Sequence, residues 1–156
     1  MDAFAWSAQQ LAEFIAAVST AEKETDAARA AVERVAGALD ADVAAIVCGG
    51  ELVAGVNYAG SGVPVDELER VRPGASDASL DVPGVGASAA VAAGLEHPPA
   101  TLVVARPDAL SHEETGLLRG MARVASMTMR MLSVLDDERS AREELERRHT
   151  TSSPRR

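Results

Sequence analysis

The sequence predicts an α+β domain: a central antiparallel sheet, helices before it and one long helix after it. Three observations predict it. Apolar residues recur at helical spacing through the first forty positions, and the period then falls to two across residues 43–58 around a Gly-Gly turn. The third is a β-branched run, Thr101-Leu102-Val103-Val104-Ala105, broken by Arg106-Pro107-Asp108-Ala109 and followed by the capping box Ser111/Glu114, which opens a helix reaching His149. At 1.5 Å per residue that helix spans about 58 Å, whereas a domain of this size is roughly 30 Å across. Half of it must leave the globule and meet a partner or stand as a solvated rod.

Taken in order, Ser7 and Gln10 match a capping box and Trp6 and Leu11 a hydrophobic staple, so the first helix is expected to begin near Ala8. Leu11, Phe14, Ile15 and Val18 share one of its faces. Ser19 and Glu22 match a further box, which either opens a new helix or falls inside a longer one. Ala28, Ala31, Val32, Val35, Ala36 and Leu39 form a core-facing stripe over an expected helix from Thr25 to Leu39. Val43 to Cys48, the turn Gly49-Gly50, and Leu52, Ala54, Val56 and Tyr58 alternating with Val53, Gly55 and Asn57 read as a β-hairpin. Residues 60–86 are rich in proline and glycine and predict a loop wall with one short helix over Val65–Val71 and a weak strand over Ser79–Val82. Gly86–Ala93 and Ala100–Ala105 read as two further strands. The organisation is an N-terminal helix over residues 1–19, a domain over 20–135, a charged helix over 136–149 and a disordered tail over 150–156.

The long helix changes character along its length. The 4-3 register Leu117, Met121, Val124, Thr128, Met131 and Leu135 is expected to be the seam of a parallel homodimer, joined by Leu11, Ile15 and Val18 of the first helix in a dimeric bundle. After Leu135 the surface is a charge lattice, with Arg139/Glu143, Glu143/Arg147 and Glu144/Arg148 at i,i+4, worth about 0.2 to 0.5 kcal/mol a pair.

Composition narrows the function. The net charge is −9, and the acidic excess lies in residues 1–135, because residues 136–156 carry six groups of each sign. An acidic body repels phosphate backbones, and Phe4, Trp6, Phe14 and Tyr58 are too few aromatics for stacking platforms, so no nucleic-acid partner is expected. Cys48 is the single cysteine, which excludes an internal disulfide and fits a reducing cytoplasm. No stretch approaches the roughly 18 apolar residues of a membrane span, so no membrane partner is expected.

The residues that carry chemistry are sparse. His97, before Pro98-Pro99, offers the rigid imidazole that haem or a metal would use, yet no second ligand stands at a useful local spacing. Cys48 has no positive neighbour to activate it. Neither a phosphate-loop glycine pattern nor a G-x-S-x-G elbow occurs. No catalytic residue, metal site or cofactor is expected, and the chain reads as a non-enzyme. Asn57, Tyr58, Asp77, Ser79 and Ser88 could supply polar groups to a small pocket between sheet and loop wall, for an unidentified small molecule; the same positions suit ordinary turns and edges.

The Ala28–Leu39 stripe, the Val43–Tyr58 hairpin, and the run Thr101-Leu102-Val103-Val104-Ala105-Arg106 followed by Leu110-Ser111-His112-Glu113-Glu114 and Leu117-Leu118 together resemble a GAF domain over about Ala21 to Leu135. Met121-Ala122-Arg123-Val124-Ala125 resembles GAF domains of actinobacterial multidomain signalling proteins. The resemblance implies a sensory or dimerisation module whose exit helix joins an output domain, such as one for cyclic-di-GMP turnover or a histidine kinase. The chain lacks the N-K-x-F-D-E signature of cyclic-nucleotide GAF domains and the cysteine set of GAF-fold methionine sulfoxide reductases. Two other readings are a protein-interaction module without small-molecule sensing and a haem-dependent gas sensor.

Overall fold

The computed structural model describes residues 2–56, 62–75, 77–96 and 99–152. The elements run α1 (Ala3–Ser19), α2 (Glu24–Leu39), β1 (Val43–Cys48), β2 (Glu51–Val56), α3 (Val65–Glu69), β3 (Ser79–Val82), β4 (Gly86–Leu95), β5 (Ala100–Arg106) and α4 (His112–Ser152). The expected α+β architecture is present, with small corrections at the ends of elements.

α1 begins five residues before the position that the Ser7/Gln10 pattern indicates. Asp2 takes the N-cap instead, its carboxylate accepting the Phe4 N–H at 3.3 Å, and alanine at positions 3 and 5 favours the helical backbone. Ser19 caps nothing: α1 ends there, and its hydroxyl donates back to the Ala16 carbonyl at 3.1 Å. α2 closes on Asp40, whose left-handed backbone (φ 50°, ψ 49°) is a conformation that aspartate tolerates better than most side chains. The Ala41 N–H then returns to the Ala36 carbonyl at 3.0 Å and turns the chain into the sheet.

The sheet is wholly antiparallel, in the order β2-β1-β5-β4-β3. Cys48 pairs with Glu51 across Gly49 and Gly50, whose positive φ values (57° and 82°) are what a two-residue hairpin turn demands. The central strands β1 and β5 are buried on both faces, and alternation sorts their side chains. Ala44, Ile46, Leu102 and Val104 meet the helices, and Val43, Ala45, Val47, Val103 and Ala105 meet the loop wall. α2 and the first half of α4 pack on the first face through Val32, Val35, Leu39, Leu118, Met121 and Met129, and α1 packs on those two helices through Phe14 and Val18. Val63, Leu68 and Val71 cover the second, where they meet Leu80 and Val82 of β3.

The junction between β5 and α4 is held by a fork. Glu114 and Ser111 complete the capping box reciprocally, Glu114 N–H donating to Ser111 Oγ at 3.1 Å and Ser111 N–H to Glu114 Oε1 at 2.9 Å. Arg106 grips the same carboxylate with both terminal nitrogens, at 2.7 and 2.9 Å. Its remaining N–H groups donate to the carbonyls of Asp108 (2.9 Å), Ala109 (3.2 Å) and Leu39, so all five guanidinium donors are used. The hydrogen bonds from Arg106 outweigh the cost of partial burial and, with those from Ser111, hold the Glu114 carboxyl below its ordinary range.

Arg106→Ala is expected to cost roughly 3 kcal/mol in urea unfolding at pH 7, the low end for severing a buried pair because the side chains keep 14% and 21% of their exposure. A carboxyl whose folded pKa is depressed stabilises the fold when ionised. The stability gap between the natural chain and Glu114→Gln is therefore expected to be full at pH 7 and to close as the pH falls below about 4.5. A gap that stayed unchanged down to pH 3 would show that the ionised form of Glu114 contributes nothing to it.

Candidate functional site

On the loop-wall face, where a pocket is expected, Val63, Leu68 and Val71 lie directly on the sheet and are almost fully buried. α3 delivers Leu68 there from a helix opened by Pro64, whose carbonyl accepts the Glu67 and Leu68 N–H groups. Asn57 and Tyr58 lie outside the described residues. Asp77 is exposed, with φ 36°, on the turn before β3, and Ser79 is exposed at the start of β3. Ser88 is buried on β4 opposite Leu80, and its hydroxyl donates to the Gly86 carbonyl at 3.2 Å. Because Leu80 and Ser88 share a face, Ser79 points to the other one, so the three described candidates do not converge.

The largest concavity among those described is elsewhere, a cleft of about 500 Å³ along the edge of β4. Ala92, Ala93, Gly94 and Glu96 form its floor, Pro73 and Gly74 one rim, and Arg119, Arg123, Ser126 and Met127 of α4 the other. A second hollow of about 330 Å³ adjoins it, sharing Gly74, Ala92 and Arg119 and reaching Asp77. Arg119 and Arg123, four residues apart, lie on one side of α4. Both are exposed, and among the described residues neither has an ion-pair partner. The Glu96 N–H donates to the Ser126 hydroxyl at 3.0 Å, which fixes the end of β4 against α4. Two unpaired cations beside a strand edge can recognise carboxylate or phosphate.

Other chemistry-bearing groups are apart from this cleft. Cys48 is half-buried, its thiol donating to the Pro99 carbonyl at 3.2 Å, and Glu69 accepts the Gly50 N–H at 2.6 Å beside it. His112 is exposed at the start of α4, His149 is exposed near its end, and His97 lies outside the described residues. Among the described residues, no group of three or more His, Cys, Asp or Glu side chains could hold a metal ion. No described helix is long and apolar enough to cross a membrane.

The expected dimer residues divide between inside and outside. Val18, Leu117 and Met121 are buried in the core of the single chain, and Leu11, Val124 and Thr128 are half-covered, with Leu11 lying 3.8 Å from where a side chain on Gly120 would begin. Ile15, Met131 and Leu135 remain exposed. Leu117 and Met121 are therefore closed to a partner in this fold, because they are covered within the core of the single chain. Four of the five large exposed apolar residues of α4 follow another register, with Leu135 beside it: Met127 (67% exposed), Met131 (58%), Val134 (57%) and Leu145 (64%), with Glu138 and Ala141 in the intervening 4-3 places.

The sequence matches no family model and no curated protein. Solved structures do match. The chain is similar to the GAF domain of a Pseudomonas syringae pv. tomato protein described as a sensor histidine kinase (TM-score 0.59, 14% identity, covering 88% of this chain and 94% of that one). It is also similar to the GAF domain of an Acinetobacter phosphoenolpyruvate-protein phosphotransferase (TM-score 0.56, 14% identity, 81% and 93%). The chain has the GAF fold. A bacteriophytochrome of the photosynthetic bacterium R. palustris shares it (TM-score 0.62, 13% identity), with 88% of this chain matched to 40% of that one.

Within this GAF fold the loop-wall face is a packed layer. Leu68→Ala is expected to cost about 2 to 5 kcal/mol, as for other fully buried leucines, when read by urea unfolding. A loss under about 1 kcal/mol would mean that the wall is loose enough to open.

Proposed function

We propose that this chain is a sensory or regulatory GAF module that acts as a homodimer and passes the state of its body through α4 to an output domain. The observation that carries the reading is the apolar line Met127, Met131, Val134, Ala141 and Leu145, which runs along α4 from beside the sheet into the exposed rod. It lies about half a turn round the helix from the residues that α4 buries in the core, Leu118, Met121, Ala122, Ala125 and Met129. One helix thus touches the sheet on one side and offers a partner the other. The GAF neighbours described as parts of a sensor histidine kinase and a bacteriophytochrome support the sensory part.

The relay is non-catalytic and works in the cytoplasm. A ligand or partner that favours one packing of the body biases the angle between paired α4 helices, by no more than its difference in affinity for the two states. The seam suits that use because it is weak, with Glu138 in a core place, paired with Arg142, and the Arg148–Glu144 ion pair beside it. The output is one of the classes that such modules serve, cyclic-di-GMP turnover or histidine phosphorylation. The closed loop wall favours a second reading, in which a protein partner and not a small molecule supplies the signal.

Light-scattering mass measurement is expected to give two chains for the natural protein and one for Met127→Glu/Met131→Glu/Val134→Glu, with the melting temperature of the body little changed because the three side chains are exposed. Met121→Glu, by contrast, is expected to unfold the body by burying a charge. A triple variant that remained dimeric would sink the seam.

A further inference from the structure

One place in the sheet is unfilled. β3 pairs with β4 only as far as Ala89, and one more bond, from the Ala90 N–H to the Ala78 carbonyl at 3.0 Å, ends that ladder. β4 continues to Leu95, paired on its β5 side alone. Strand backbone groups alternate in direction, and Ala90 points to the β3 side. Ala92 and Gly94 therefore turn their N–H and C=O groups to the edge that β3 leaves unpaired, where Ala92 is 5% exposed and Pro73 lies 3.7 Å from where a side chain on Gly94 would begin. α4 travels beside this stretch in the same direction. Arg119 borders both hollows, Arg123 follows, and Ser126 meets the Glu96 N–H at the far end.

We propose that this cleft binds an extended acidic segment of a partner protein as a sixth strand, paired with the edge of β4 and neutralised by Arg119 and Arg123. Each part of the proposal has its own observation. The edge offers carbonyls as well as N–H groups, which a peptide backbone satisfies together and a small anion does not. The two arginines stand about 6 Å apart along the helix, and alternate residues of a strand recur about every 6.6 Å, so carboxylates at positions i and i+2 of the segment meet both. Asp77 and Glu96 flank the hollows and disfavour acids at the ends of the segment, which centres the preferred pair. A second copy of β4 suits the edge poorly, since it brings its own Arg119 and Arg123 towards the same cations. Of the residues that line the cleft, Met127 alone also belongs to the α4 seam, and the peptide reading rests on the two arginines and the β4 edge instead.

The test uses the full chain and a fluorescein-labelled hexapeptide of valine with aspartate at its second and fourth positions, read by fluorescence anisotropy and by amide hydrogen exchange. Saturable binding is expected, with the Ala92 and Gly94 amides exchanging more slowly in the complex. Binding is expected to weaken at least tenfold for Arg119→Gln/Arg123→Gln, whose unchanged melting temperature reports an intact fold, and at least tenfold for a peptide carrying asparagine in place of aspartate. Absence of binding overturns the proposal, as does equal affinity for the asparagine peptide or the double variant. Inorganic phosphate or succinate slowing the same amides as strongly as the peptide would make the cleft a small-anion site and overturn the strand. Because anisotropy reads the peptide whatever the mass of the protein, failure here and failure of the dimer seam are separate results.

Discussion

The five donors of Arg106 are the constraint on which the arrangement of the helices depends. A guanidinium is planar and presents its N–H groups in fixed directions, so satisfying all five fixes five acceptors in relation to one another. Those acceptors belong to the end of α2 (Leu39), the loop after β5 (Asp108 and Ala109) and both oxygens of the residue that caps α4 (Glu114). Lysine, with three donors on a flexible stem, could not replace it. The start of α4 is therefore located by the end of α2 and the last residue of β5 together, and the rest of the long helix follows from where it starts.

The second constraint is the thinness of the sheet's own side chains. Half of β4 is alanine, so the elements on each side approach closely, and the larger residues come from them: Leu68 and Val71 on one face, Met121, Met129 and Leu118 on the other. Close approach leaves little unfilled volume around Val63 and Leu68, and the two adjoining hollows lie along the edge of β4.

Local signals were legible in the sequence and relative positions were not. Gly49-Gly50, the Ala28–Leu39 stripe and the Ser111/Glu114 box each depend on residues a few positions apart, and each is present as read. The start of α1 was obscured because Ser7 and Gln10 match a cap pattern that Asp2 pre-empts. The importance of Arg106 was hidden because Leu39, one of its acceptors, is 67 residues away in the chain. Met121 and Met131 read alike in a heptad pattern, and only the position of the sheet makes one a core residue and the other a surface one. Arg119 and Arg123 resemble any solvated helical face. What distinguishes them is that β3 is six residues shorter than β4, which no local pattern in the sequence states.

α4 passes from the core to its far end as one helix of 41 residues. Each residue added to a helix turns everything beyond it by about 100°. The direction in which the distal rod faces is thus inherited, residue by residue, from the methionines and alanines fixed against the sheet. One residue inserted between Leu135 and Glu138 would swing Leu145 off the line of Met127, Met131 and Val134, whereas seven would restore it. In this protein, angular phase is stored in chain length, and the rod keeps its phase only when it is lengthened by about two or three whole turns.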